Sequence, residues 1–143
     1  MKVNSVMIVD DSMDDQYLAE RSLASSKLCQ NFFLKDNGLD ALAFFQDYEN
    51  QAKAYGNKLP PSVILLDINM PVMNGFEFLD SFKELRRKNK VLEKVIIVVF
   101  SSSDNIKDVK RARSYDFVRD YWVKSPHPDD IVEKFSKLFA QAC

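Results

Sequence analysis

The sequence predicts an α/β fold, a doubly wound five-stranded parallel sheet with five helices, in one domain covering residues 1–143. Three observations carry this. Five short apolar runs alternate with five stretches whose apolar residues recur at helical spacing, a pattern that requires right-handed crossovers and helices on both sheet faces. The third and fourth runs, Val63–Leu66 and 95–100, are apolar throughout rather than at every second position, as strands buried on both faces are. Four of the five stop abruptly at polar residues, where open α/β sheets bind their ligands.

Residues 3–9 form the first run, ending at Asp10-Asp11. Ser12 or Asp14 can cap a helix over 14–27, with Tyr17, Leu18, Arg21 and Ala24 at helical spacing. Residues 31–35 read as a second strand, broken by Asp36-Asn37-Gly38, and a helix bearing Leu39, Leu42, Ala43 and Phe45 follows. The polar stretch 51–61, with Gly56 and Pro60-Pro61, reads as an extended loop. The third strand, Val63-Ile64-Leu65-Leu66, runs straight into Asp67. Asn74 caps a helix with Phe76, Leu79, Phe82 and Leu85 on one stripe, and its basic end, 83–90, suits the helix dipole. The fourth strand, 95–100, stops at Ser101-Ser102-Ser103-Asp104, and a weaker helix over 105–115 uses Ile106, Val109 and Ala112. A short fifth strand, 120–123, ends at Lys124. The last helix, 128–142, has proline in its first turn and Ile131, Phe135, Leu138 and Phe139 on one face.

Composition narrows the function. Twenty basic side chains balance twenty-one acidic ones, which argues against a nucleic-acid partner, because such partners normally demand a basic excess. No apolar run approaches the length of a membrane span, and no leader pattern opens the chain. Cys29 and Cys143 are far apart and share no metal-binding spacing; with one at the chain's end, a structural disulfide is not expected and a reducing cytoplasm is.

In a parallel sheet the strand ends share one edge, so Asp10, Asp11, Asp67, Ser101 and Lys124 converge there. Each has a plainer explanation alone: a helix cap for the first two, a turn for the serine, a solvated lysine for the last. Asp67, directly after four apolar residues, has none as simple. Three crowded carboxylates favour a protonated acid or a bound cation, and an all-oxygen site with room for water and phosphate suits Mg²⁺. A lysine and a hydroxyl opposite them can meet an anion carried by Asp67. The chemistry this suggests is phosphoryl transfer onto the Asp67 carboxylate. A phosphohydrolase with an aspartyl nucleophile is a rival, but its two acids typically stand two residues apart under an inserted cap, and here they are adjacent. A flavodoxin-type flavin binder would meet repulsion between its phosphate and Asp10-Asp11.

From Val3 to about Leu138 the chain resembles the receiver domains of bacterial two-component response regulators, the stand-alone chemotaxis-regulator type in particular. The resemblance rests on Ile8-Val9-Asp10-Asp11-Ser12, on Leu65-Leu66-Asp67-Ile68-Asn69-Met70-Pro71 with Asn74-Gly75, and on Val123-Lys124. It implies the flavodoxin-like strand order 2-1-3-4-5. It implies that Asp67 accepts a phosphoryl group from a sensor histidine kinase or phosphotransfer protein. The resemblance also implies that Asp11 and Asp67 hold Mg²⁺ (or Mn²⁺) through carboxylates, Asn69 through its backbone carbonyl and Asp10 through water. Lys124 and Ser101 would contact the phosphate, and Ser101 and Tyr121 would act as the switch pair. The output face would include Ile106, Lys107, Lys110, Tyr121 and Trp122, signalling to a downstream protein, with homodimerisation through the same face left open. The chain would be a signalling phosphoacceptor rather than an enzyme with its own substrate, and no output domain is expected. A degenerate, phosphate-independent receiver is the rival within the fold, and the intact acids and lysine speak against it.

Three features depart from the family. Ser101 stands where threonine is commoner. Ser125 separates Lys124 from Pro126, where the family has lysine followed by a cis proline. A non-proline cis bond costs ~2.5–4 kcal/mol, so the Lys124–Ser125 bond is either trans with a local rearrangement or strained. The segment before Pro60-Pro61 is long, as in a subgroup of stand-alone receivers.

Overall fold

In a computed structural model, residues 3–140 are described. Five parallel strands, β1 (Val6–Val9), β2 (Phe32–Lys35), β3 (Val63–Leu66), β4 (Ile96–Ser101) and β5 (Val118–Val123), form one sheet in the order β2-β1-β3-β4-β5. The helices are α1 (Met13–Ser25), α2 (Gly38–Gln46), α3 (Tyr48–Tyr55), α4 (Gly75–Lys88), α5 (Ile106–Arg113) and α6 (Asp129–Ala140). The described residues thus hold six α-helices where five were expected. The extra one lies partly in the stretch read as a loop. Residues 48–55 continue from α2 after a break at Asp47 and pass into a 3₁₀ turn, Gly56–Lys58. None of α3's residues is fully buried, so no apolar stripe announced it, yet Tyr55 packs edge-on to Phe33, with ring centroids 4.9 Å apart.

Strand bounds shift for related reasons. β1 begins at Val6 rather than Val3, which makes only an isolated bridge to Cys29. β5 begins two residues earlier than expected because Val118 pairs with Ile97 across a register shift. Residues 141–142 of the expected last helix, and Cys143, lie outside the described residues; Cys29 is buried and free of a disulfide.

All four residues of β1 and all four of β3 are buried, and their side chains alternate between two cores. Met7, Val9, Ile64, Leu66, Ile97, Val99 and Tyr121 face the aromatic-rich core, with Phe33, Phe44, Phe45, Phe78 and Phe82. Val6, Ile8, Val63, Leu65, Val98 and Trp122 face the other, with Leu23, Ile131 and Phe135. The register sets Val9 beside Leu66, and Leu66 beside Val99, so these strands finish level and the residues after them share an edge.

Gly75 seats α4 against that edge. Its amide donates to the Ile68 carbonyl at 3.1 Å, and an added Cβ would lie 2.5 Å from the Asp67 carbonyl oxygen. Asn74 and Glu77 complete a reciprocal capping box at the same helix start.

Candidate functional site

Asp10 is 2 % exposed at the end of β1. Its Oδ1 accepts from the Ser12 amide at 2.9 Å, and its Oδ2 accepts from Lys124 Nζ at 2.6 Å. Asp67, 6 % exposed after β3, is held by its own turn. Its amide donates to the Val9 carbonyl at 2.9 Å, and its Oδ1 accepts from the Ile68 amide at 2.8 Å. This leaves Oδ2 turned to Lys124 Nζ, 3.2 Å away. Exposed Asp11 completes a cluster in which one oxygen from each of the three carboxylates lies within 4.8 Å of the others. Such a donor set, all oxygen and anionic, fits a hard divalent cation. Asn69, two residues after Asp67, is exposed.

Lys124 enters from β5, and its backbone amide donates to the Ser101 carbonyl at 2.7 Å. The single cis peptide among the described residues joins Leu59 to Pro60; the Lys124–Ser125 bond is trans, and the lysine still reaches the acids. It also meets a residue that sequence reasoning missed: Asp15 Oδ2 lies 2.8 Å from Nζ. In the sequence, Asp15 is one of two acids in a helix first turn, where acids are common for dipole reasons alone, so nothing there signals its partner. Gln16 was missed too, because a glutamine in a helix carries no signal of a buried partner in the sequence. It is buried, and its amide donates to the carbonyls of Asp10 at 2.6 Å and Lys35 at 2.9 Å, tying α1 to the ends of β1 and β2. The first cap of α1 is Ser12, not Asp14: its Oγ accepts from the Asp15 amide at 3.2 Å.

Burial pushes the Asp10 carboxyl up to about 6; the Lys124 hydrogen bond and charge and the Ser12 amide pull it down, and the Asp67 charge adds to the rise. Burial lowers the proton affinity of Lys124, but its hydrogen bonds to Asp10 and Asp15 and the charges of Asp10 and Asp67 outweigh this and hold its pKa above the ordinary lysine value. The ammonium is therefore fixed as a cation facing more than its equivalent of carboxylate.

Ser101 ends β4 fully buried, and its Oγ accepts from the Ser103 amide at 3.2 Å. Ser103 in turn accepts the Tyr121 hydroxyl on its carbonyl at 2.7 Å and donates its own hydroxyl to Asp108 at 2.7 Å. A short chain of contacts thus runs from the sheet edge to Tyr121 and the start of α5. Ile106 (66 % exposed), Lys107 and Lys110 line the outer side of that helix. Trp122 does not join them. Strand alternation turns it to the opposite face of the sheet from Tyr121; it is 5 % exposed, packed in the core beneath α1 and α6, and its Nε1 donates to Asp120 at 3.0 Å. Its expected place on the output face is corrected accordingly. His127 is exposed in the loop before α6.

Comparison with known proteins supplies the family. The sequence model of the response regulator receiver domain matches residues 6–136. Response regulator Rcp1 of Synechocystis is 33 % identical over 127 residues, 88 % of this chain and 80 % of that protein. The nitrate/nitrite response regulator NarL of Escherichia coli is 40 % identical over 84 residues, 57 % of this chain and 35 % of that longer protein. Among solved structures, the Mn²⁺-bound form of Rcp1 superposes with a TM-score of 0.70 at 30 % identity, covering 94 % of this chain and 90 % of that one. The phosphorylated cyanobacterial phytochrome response regulator RcpA gives 0.70 at 28 % identity, covering 94 % and 89 %.

Proposed function

The chain belongs to the family of response regulator receiver domains of two-component systems, and on that premise we propose that Asp67 accepts a phosphoryl group from the phosphohistidine of a sensor kinase or phosphotransfer protein. The observation that carries this is the reach of one ammonium, Lys124, to both Asp10 and Asp67 within a cluster that includes Asp11. Asp11 and Asp67 by carboxylate, the Asn69 carbonyl, and Asp10 through water would hold Mg²⁺ or Mn²⁺, which when bound supplies positive charge against the phosphoryl oxygens.

The protein's own groups do the rest. With Oδ1 tied to the Ile68 amide, the Asp67 carboxylate keeps one orientation. Its attacking oxygen forms the new O–P bond as the P–N bond of phosphohistidine breaks, and the imidazole leaves with the electron pair. Lys124 offers N–H donors and charge to the oxygens of the transferred group. The Ser101 hydroxyl donates to one of them. That contact draws on the segment whose Ser103 amide bonds Ser101 and whose Ser103 carbonyl holds Tyr121, so the phosphorylated state differs from the free one at the surface around Ile106, Lys107 and Lys110. Coupling of 1–3 kcal/mol is typical and would change partner affinity roughly 5–150-fold. The signal leaves by binding a downstream protein or by passing the phosphoryl group on, and the protein turns over no other substrate.

The test is intact mass after incubation with acetyl phosphate and Mg²⁺. One phosphoryl adduct is expected on the wild type, and none on Asp67→Asn or without metal. No adduct on the wild type, together with no binding of beryllofluoride, would overturn the assignment and leave a phosphate-independent binding module.

A further inference from the structure

The Lys124 ammonium has three N–H donors and three carboxylate partners, each on a different element: Asp10 at 2.6 Å after β1, Asp15 at 2.8 Å in α1, and Asp67 at 3.2 Å after β3. Two of these partners belong to the three-carboxylate cluster and the third does not. Asp15 stands on the outer side, its side chain 40 % exposed, while the Lys124 side chain is only 13 % exposed. The Asp15 backbone is anchored by the Ser12 cap and the Lys124 backbone by its amide's bond to the Ser101 carbonyl, while the Lys124 side chain is long and the Ser125-Pro126-His127-Pro128 that follows forms neither helix nor strand. What aims the ammonium is therefore its set of acceptors.

Resting on Asp67 as the phosphoacceptor, we propose that Asp15 is a positioning residue that draws the Lys124 ammonium outward and shares it away from Asp10 and Asp67. Shared three ways, the lysine competes less with a cation for the two buried carboxylates. It also stays at the rim, where an arriving phosphoryl group first meets the site. Without Asp15 the ammonium settles onto Asp10 and Asp67 alone and blocks them. Asp15 thus acts through Lys124 and touches neither cation nor phosphate.

The experiment is a double-mutant cycle between Asp15→Asn and Lys124→Met, read as the dissociation constant of Mn²⁺ from the loss of its free-ion electron paramagnetic resonance signal. In the wild-type background Asp15→Asn should weaken Mn²⁺ binding roughly fivefold, about what a part-exposed ion pair contributes. In the Lys124→Met background it should weaken binding at most about twofold, the residue of a remote, salt-screened charge. Asp15→Glu, which keeps the charge on a longer arm, should recover most of the loss. If Asp15→Asn does not fold, Asp15→Ser takes its place in the same cycle. Equal losses in both backgrounds would show Asp15 acting only as a remote charge and would overturn the proposal, as would no loss in the wild type. No phosphodonor enters this cycle. A missing mass adduct with the cycle intact therefore defeats only the phosphoacceptor role, and an adduct with a flat cycle defeats only the role of Asp15.

Discussion

The aromatic core and the acidic edge of this molecule are built on the same strands and obey opposite rules. Beneath α2 and α4, Phe45, Phe78 and Phe82 are fully or almost fully buried; Phe78 and Phe82 stack with centroids 5.3 Å apart, and Phe45 meets Phe82 edge-on at 5.0 Å. Every group there gains by leaving water. At the strand ends Asp10 and Asp67 are buried almost as deeply, with one lysine between them and Asp11 alongside. Burying like charges costs stability, and a single ammonium offsets only part of it. The difference teaches where this fold keeps its stability and where it gives stability up for chemistry. The two regions meet at Gly75.

The largest break of that contrast is Phe82→Ala. It removes a ring central to the aromatic core, with an expected loss of about 3–5 kcal/mol, measured by urea unfolding. Below the melting transition the variant should still take a phosphoryl group on Asp67, because the ring packs on Phe45, Phe78 and Phe117 within the core; loss of the adduct in folded protein would mean the regions are not separable. Next comes Gly75→Ala, placed where they join. The new methyl would lie 2.5 Å from the Asp67 carbonyl oxygen and 2.8 Å from the Ile68 Cα, so backbone must move. A loss of about 1–3 kcal/mol is expected, together with slower phosphorylation by acetyl phosphate. A stability loss with an unchanged rate would show that Asp67 keeps its aim when its support shifts.

The smallest effect sharpens the contrast from the edge side. Asp10 holds its proton up to about 6 in the folded protein, above the ordinary aspartate value of about 3.9 in an unfolded chain. Between those values the folded state binds more protons than the unfolded state, so the stability of the metal-free protein falls as pH rises from about 4 to about 6 and levels off beyond. Asp10→Asn should remove that slope, raising the melting temperature relative to wild type more at pH 7 than at pH 4. An unchanged slope in thermal melts across this range would show that burial of Asp10 does not set it.

Much of this protein was legible in the chain itself. Short apolar runs without alternation and bounded by turn residues, such as Val63–Leu66, fit strands covered on both sides, and their abrupt polar ends put Asp10, Asp67, Ser101 and Lys124 at one edge from the sequence alone. Strand termini in a parallel sheet are set by topology, and topology is set by periodicity. What periodicity cannot carry stayed hidden. The helix Tyr48–Tyr55 has no buried stripe, so its second half, from residue 51, read as loop. Tyr121 and Trp122 are adjacent in sequence, and only the register of β5 against β4 decides that one lies beneath α5 and the other beneath α1 and α6. Asp15 is the clearest case: helix propensity and dipole account for an acid at that position, and its ion pair with a lysine 109 positions away exists only once the first helix and the last strand are packed. Local pattern determined the elements and the edge where they end; long-range packing alone chose which side chains meet there, because the energy of a contact between distant residues leaves no trace in the periodicity of either.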